Sequence, residues 1–255
     1  GIDPLFGNMD DFDELISKGK EKNIKIILDL VLSHTSDEHP WFIEALKGEN
    51  NKYHDYYIWR NGEKGKLPND KVSSFGGSAW EYVEHLNKYY FHEFHTKQPS
   101  LNWENPNMRK DLYEMINRWI EKGVEGFRLD VIDTLAKNVD KGNMVVYPDI
   151  YKYIDELSKE TFQKYNAMSV GEVWSANYDN AAIWANTDIS KLSMIFTLQH
   201  MTLDQGVDKF DLKDFDILKF KEIFSKWQTN LYDKAYGTSL YISRSRNWYD
   251  KSILE

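Results

Sequence analysis

The sequence predicts an α/β fold built on a parallel sheet, and three observations carry that expectation. Apolar runs bounded by turn residues alternate with stretches of helical period through most of the 255 residues. Residues 24–32 form a near-continuous apolar run, as expected for a strand covered on both faces. Residues 122–132 leave a helix at Gly123 and continue through Val124, Phe127, Leu129, Val131 and Ile132 as a short buried strand with a charged tip. Repeated strand–helix units of this kind imply a parallel sheet, closed as a barrel or open and doubly wound.

In chain order, residues 8–23 predict a helix with Asn8 and Asp11 as its capping box and Met9, Phe12, Leu15 and Ile16 as its apolar stripe; Asn23 closes it. The strand at 24–32 follows, interrupted by Asp29 and ending in Ser33-His34-Thr35-Ser36. From 34 to 100 the texture changes. Trp41, Phe42, Tyr53, Tyr56, Tyr57 and Trp59 fall among polar residues without period, and Phe75-Gly76-Gly77-Ser78 forms a bend. This stretch is too long for a plain connection and predicts an inserted subdomain. A second helix is expected to be capped near Asn107, with Met108, Leu112, Met115, Ile116, Trp119 and Ile120 on one stripe. It leads into the charged-tip strand, where Gly126 allows close packing. Further on, a helix is predicted over 148–165 and a strand over 168–174. Another strand is expected over 193–200, a helix over 215–231, and the start of one more strand at 239–242.

Composition narrows the classes of function. Charged residues make up 29% with both signs mixed, and no apolar run approaches the length of a membrane span, so no membrane partner is expected. The opening Gly1-Ile2-Asp3-Pro4 has no signal-peptide character. A net charge of −9 argues against nucleic acid as a partner, and zero cysteines fit a cytoplasmic protein without disulfides or thiolate metal sites. Aromatics at 15% also offer flat faces for sugar rings.

The chemistry gathers at strand ends. Arg128 and Asp130 lie two apart, so a strand points both to one face, where the guanidinium would hold the carboxylate ionised and nucleophilic. The alternative is a structural ion pair, and this stretch alone leaves both readings open. Asp29, His34 and Glu172 also fall at or near the C-terminal ends of predicted strands, the edge where a barrel collects catalytic groups. Two carboxylates from neighbouring strands, one beside an arginine, are what retaining glycoside hydrolysis requires. A helix cap is the plain alternative for Glu172, and a loop histidine for His34. His92 and His95 are suitably spaced for a metal, but no third ligand accompanies them. No phosphate loop and no nucleophile elbow is present, and neither a cofactor nor a metal is expected.

Asp29-Leu30-Val31-Leu32-Ser33-His34-Thr35-Ser36, Gly126-Phe127-Arg128-Leu129-Asp130 and Val170-Gly171-Glu172 resemble, in order and spacing, three signature regions of the α-amylase family, glycoside hydrolase family 13. Gln98-Pro99-Ser100-Leu101-Asn102 resembles a fourth, and the stretches 34–42, 56–60, 75–81 and 102–106 resemble the oligo-1,6-glucosidase and α-glucosidase subgroup. The resemblance implies a partial (β/α)8 TIM barrel with a small domain inserted after the third barrel strand. Residues 1–33 would be the third strand unit, 34–100 the inserted domain, and 101–255 the fourth to about seventh units, with a divergent tail from 243. By motif position Asp130 would be the nucleophile, Glu172 the general acid/base and Arg128 the residue that positions the nucleophile. His34 would bind a glucose hydroxyl, Asp29 would support its strand end, and Phe75 and Gln98 would join the substrate site. Val131, directly after the nucleophile, resembles α-1,6-acting members.

The sequence also departs from the family pattern. It resembles an internal fragment, opening at what corresponds to the loop after the second strand. Ser33 stands where the family usually has Asn. After 242 an Asn-His-Asp motif bearing a third catalytic carboxylate is expected, but the residues are Ser243-Arg244-Ser245-Arg246-Asn247-Trp248. The resemblance therefore implies an exo-acting α-glucosidase on short oligosaccharides, impaired in this chain, with self-association through exposed barrel edges. A glucosyl-transferring isomerase of the sucrose isomerase or trehalose synthase type stands beside it. An inactive sugar-binding remnant is the alternative of another class.

Overall fold

A computed structural model of the chain describes residues 1–186, 191–207, 211–232, 234 and 237–239, and the chain divides into two compact units, Gly1–Ser169 and Val170–Glu255.

The first unit opens with helix α1 (Met9–Glu21), capped as the sequence predicts. The Asn8 side chain accepts from the Asp10 and Asp11 amides, and the Asp11 carboxylate accepts the Asn8 N–H at 2.8 Å. Phe12 and Ile16 are buried, and Phe12 meets Trp119 edge-on at 5.2 Å, whereas Leu15 of the predicted stripe lies exposed. Strand β1 (Ile27–Val31) is shorter than the apolar run and not covered on both faces: Ile27 is 46% and Val31 40% exposed. Apolar content announced a strand here, but which face is covered depends on neighbours that composition does not name.

Between β1 and the next long helix lie α2 (Pro40–Ala45) and strands β2 (Trp59–Asn61), β3 (Trp80–Val83) and β4 (Lys88–Phe91), an antiparallel sheet in the order β2-β4-β3. Ala79, Trp80, Tyr89 and Phe91 form its core together with Val139. The chain returns from this excursion against the point where it left. The Leu101 amide donates to the Ser33 carbonyl at 3.0 Å, and the buried Trp103 indole donates to the Leu32 carbonyl at 2.7 Å. These bonds satisfy backbone groups that burial would otherwise leave unpaired.

Helix α3 (Pro106–Glu121) is capped two residues earlier than expected, because Asn105 rather than Asn107 accepts the first free amides and Pro106 needs no partner for its nitrogen. It ends at Gly123, whose φ of +105° and whose missing Cβ, which would lie 2.7 Å from Ile16 Cγ2, both require glycine. Strand β5 (Gly126–Asp130) then pairs in parallel with β1, setting Asp29 opposite Arg128 and Val31 opposite Asp130. The helix predicted over 148–165 is broken in two, α4 (Asp149–Glu160) and α5 (Phe162–Tyr165). Thr161 leaves helical geometry between them and donates its hydroxyl to the Leu157 carbonyl, a local competition that propensity alone does not resolve.

In the second unit β6 (Met168–Gly171), whose first residues close the first unit, pairs in parallel with β7 (Met194–Thr197) through Val170 and Gly171. β7 pairs in parallel with β8 (Gly237–Ser239). The short helix α6 (Ala181–Trp184) precedes β7, and α7 (Ile217–Leu231) lies between β7 and β8, capped by the Asp216 side chain on the Lys219 amide. Ile223 and Trp227 are its buried residues. The remainder of the strand predicted over 239–242 lies outside the described residues.

At Gly126 strand β5 comes close to Met168. A Cβ there would lie 2.6 Å from the Met168 carbonyl oxygen and 2.9 Å from Met168 Cβ, so backbone has to move to admit it. Gly126→Ala is expected to cost about 1–3 kcal/mol. Urea denaturation measures this, and an unchanged midpoint and slope would contradict the packing.

Candidate active site

The site starts from the register of β1 and β5. Because Asp29 sits opposite Arg128, and Asp130 lies two residues further along the same strand, one guanidinium reaches both acids. Arg128 Nη1 donates to Asp29 Oδ1 at 3.0 Å and Oδ2 at 3.2 Å, and to Asp130 Oδ1 at 2.6 Å. The Asp29 side chain is 61% exposed and Asp130 26%. The outer contact therefore contributes at most about 1 kcal/mol to stability, and its main consequence is to hold the guanidinium in place.

Asp130 is the last residue of β5, and the chain turns sharply after it. Val131 has φ +37° and ψ 46°, a left-handed conformation that is strained for a β-branched side chain and costs about 1–3 kcal/mol. The turn is held by Thr134, whose amide and hydroxyl both donate to the Val131 carbonyl, at 3.0 and 2.9 Å.

His34 follows β1. Its Nε2 lies 2.9 Å from the Gln98 side-chain nitrogen and its Nδ1 2.8 Å from Ser33 Oγ. With the Gln98 amide donating, Nε2 accepts and Nδ1–H donates to the serine, a tautomer assigned from the hydrogen-bond network. Gln98 is itself fixed, because its Oε1 accepts the His95 amide at 3.0 Å. Burial brings the His34 pKa down to about 4; the Asp130 charge opposes this and the Lys137 charge adds to it. The imidazole is therefore neutral at neutral pH. Phe94 packs against His34 with ring centroids 5.4 Å apart and against the exposed Phe75 at 5.6 Å, so it links the two rings.

In the second unit Glu172 follows β6. The Trp174 indole Nε1–H donates to Glu172 Oε1 at 2.9 Å, while Val173 between them is fully buried.

Sequence reasoning missed Lys137. Its ammonium is buried without a hydrogen-bond partner, and burial brings its pKa down to about 8 against the raising charges of Glu93 and Asp133. The cue was available: Lys137 closes the apolar run Leu135-Ala136 just after the strand tip. Trp174 was also passed over, although its spacing of two from Glu172 put both on one side of an extended chain. His92 and His95, weighed as metal ligands, have their Nδ1 atoms on backbone groups, His92 on the Phe94 carbonyl and His95 on the Lys97 amide. Among the described residues no group of three metal-binding side chains occurs, and no helix is long and apolar enough to cross a membrane. A cavity of about 800 Å³ in the first unit, lined among others by His54, Trp59, Arg60, Trp103 and Lys137, takes in none of the predicted site residues. The Arg128 contacts with Asp29 and Asp130 lie outside the lining of this cavity.

Comparison with known proteins identifies the family. Residues 1–244 match the family model for the alpha amylase catalytic domain. An oligo-1,6-glucosidase of Bacillus cereus is 42% identical over 251 residues, covering 92% of this chain and 45% of that protein. Among solved structures, a trehalose-6-phosphate hydrolase of Bacillus licheniformis superposes with a TM-score of 0.85 at 38% identity, over 92% of this chain and 45% of that one. An isomaltulose synthase of Erwinia rhapontici in complex with its natural substrate sucrose gives a TM-score of 0.84 at 34% identity, over 91% and 44%. The chain therefore spans less than half the length of these relatives. Its fold is α/β, a partial (β/α)8 barrel with a small inserted domain. With the family model matched along nearly its whole length, this chain belongs to the alpha-amylase family.

Proposed function

We propose that the chain is part of a retaining, exo-acting α-glucosidase for short α-glucosides, with α-1,6 linkages favoured over α-1,4. The observation that carries this reading is the single guanidinium of Arg128 joining Asp29 to Asp130 at the end of β5. Asp130 attacks the anomeric carbon, and Glu172 protonates the departing glycosidic oxygen and later takes a proton from the incoming water. Arg128 aims the nucleophile, and Asp29 holds Arg128. Both ring nitrogens of neutral His34 are engaged, by Gln98 and by Ser33, so His34 binds a glucose hydroxyl by exchanging one of these contacts for the sugar, and Phe75 is assigned to the same substrate site. The strained turn at Val131 fixes a branched side chain beside the nucleophile, which supports the linkage preference, as does the name of the oligo-1,6-glucosidase relative. In this reading 1–33 and 101–255 are barrel segments and 34–100 is the inserted domain. The cysteine-free composition supports a cytoplasmic location. The second reading, a glucosyl-transferring isomerase, is favoured by the likeness to isomaltulose synthase.

Hydrolysis of p-nitrophenyl α-glucoside is expected to be slow, because Ser243-Arg244-Ser245 stands in place of a motif carrying a third carboxylate, and loss of such a group costs orders of magnitude. It is nonetheless expected to exceed that of Asp130→Asn, and equal rates remove the enzyme reading for this chain. Incubation with sucrose, maltose and isomaltose separates the two activities, since a hydrolase releases free glucose and an isomerase a rearranged disaccharide.

Self-association is a further part of the proposal. β1 lies at an edge of its sheet with Ile27 exposed, and Leu5 and Phe6 are exposed beside α1. Light scattering is expected to give a mass that rises with concentration, and less so in Ile27→Lys. A monodisperse monomer with a cooperative, high melting transition contradicts this.

A further inference from the structure

We propose that Trp174 is a positioning residue for Glu172, fixing which carboxyl oxygen carries the catalytic proton; this rests on the glycosidase reading above. The Trp174 indole is 48% exposed, so burial does not explain where it sits. What holds it is the backbone below and the carboxylate above. Val173 is buried on the opposite side, the Ala176 amide donates to the Val173 carbonyl at 3.3 Å, and the Asn180 side chain donates to the Ser175 carbonyl at 3.2 Å. Asn180 Oδ1 in turn accepts the Asn177 amide at 2.8 Å. This turn presents the indole N–H to Glu172 Oε1 at 2.9 Å.

Indole nitrogen is a donor only. The carbonyl oxygen of a protonated carboxyl is a better acceptor than its hydroxyl oxygen, so the indole contact at Oε1 favours the form of Glu172 that carries its proton on Oε2. The Oε2 proton then moves to the glycosidic oxygen as the bond from that oxygen to the anomeric carbon breaks and the Asp130 carboxylate bonds to the same carbon. In the second step Oε2 accepts a proton from water as the water oxygen bonds to the anomeric carbon and the Asp130 ester bond breaks. The proton leaves and returns at one atom, and the indole keeps that atom aimed.

The test uses the full chain, labelled with ¹⁵N and ¹³C, titrated between about pH 3 and pH 8 to span the carboxylate range. Trp174→Phe identifies the Trp174 signal among the nine indole N–H resonances, and Glu172→Gln identifies the Glu172 carboxyl carbon. The Trp174 resonance is expected to shift in step with the Glu172 carboxyl signal and to lose that response in Glu172→Gln, while the other indole signals show that each variant is folded. A Trp174 signal that does not move as Glu172 titrates, or moves unchanged in Glu172→Gln, overturns the proposal. Turnover gives a second readout. Trp174→Phe is expected to lower kcat for isomaltose, whose leaving group needs a proton, more than for p-nitrophenyl α-glucoside, whose leaving group does not; an equal loss on both overturns it. The titration needs no activity, so its failure leaves the glycosidase reading standing. Equal rates for the chain and Asp130→Asn remove that reading without altering the titration result.

Discussion

A single guanidinium organises the first unit. Arg128 can reach Asp29 only because β1 and β5 run parallel in a register that sets the two residues opposite, and it can reach Asp130 only because strand side chains repeat every second residue. The features around it maintain that register. Gly126 brings the β5 backbone against Met168, Gly123 turns the chain out of α3 at the right point, and the return of the insertion onto Ser33 and Leu32 ties down the end of β1. As a source of stability the ion pairs themselves are minor, since one carboxylate is mostly in water. Their value lies in orientation.

Strain is concentrated where the chemistry is proposed. A valine in the left-handed region immediately after Asp130 is unfavourable by itself, and two bonds from Thr134 to its carbonyl keep it there. The carboxylate is thereby placed at an abrupt strand end, with no flexible lead into a loop. Nearby, burial of an unpartnered Lys137 ammonium and a neutral His34 makes the surroundings of Asp130 electrostatically tense.

Much of this was legible in the sequence because it depends on short-range rules. The capping box at Asn8 and Asp11, the glycine after α3, and the alternation of Arg128 and Asp130 all follow from local geometry. The misses share a cause as well. The cap of α3, the break at Thr161 and the exposure of β1 were each decided by which neighbour competes for a backbone group or covers a face.

The sequence by itself determined the order of the parallel strands and long helices outside residues 34–100, the family, and the residues that stand at the family's motif positions, since these follow from spacing and residue type. Only the tertiary structure decided that Gln98, sixty-four positions from His34, sets that histidine's tautomer, that Lys137 lies buried beside the site, and that Trp174 holds a Glu172 oxygen. Those relations depend on which side chains folding brings within about 3 Å of each other, the range in which hydrogen bonds act.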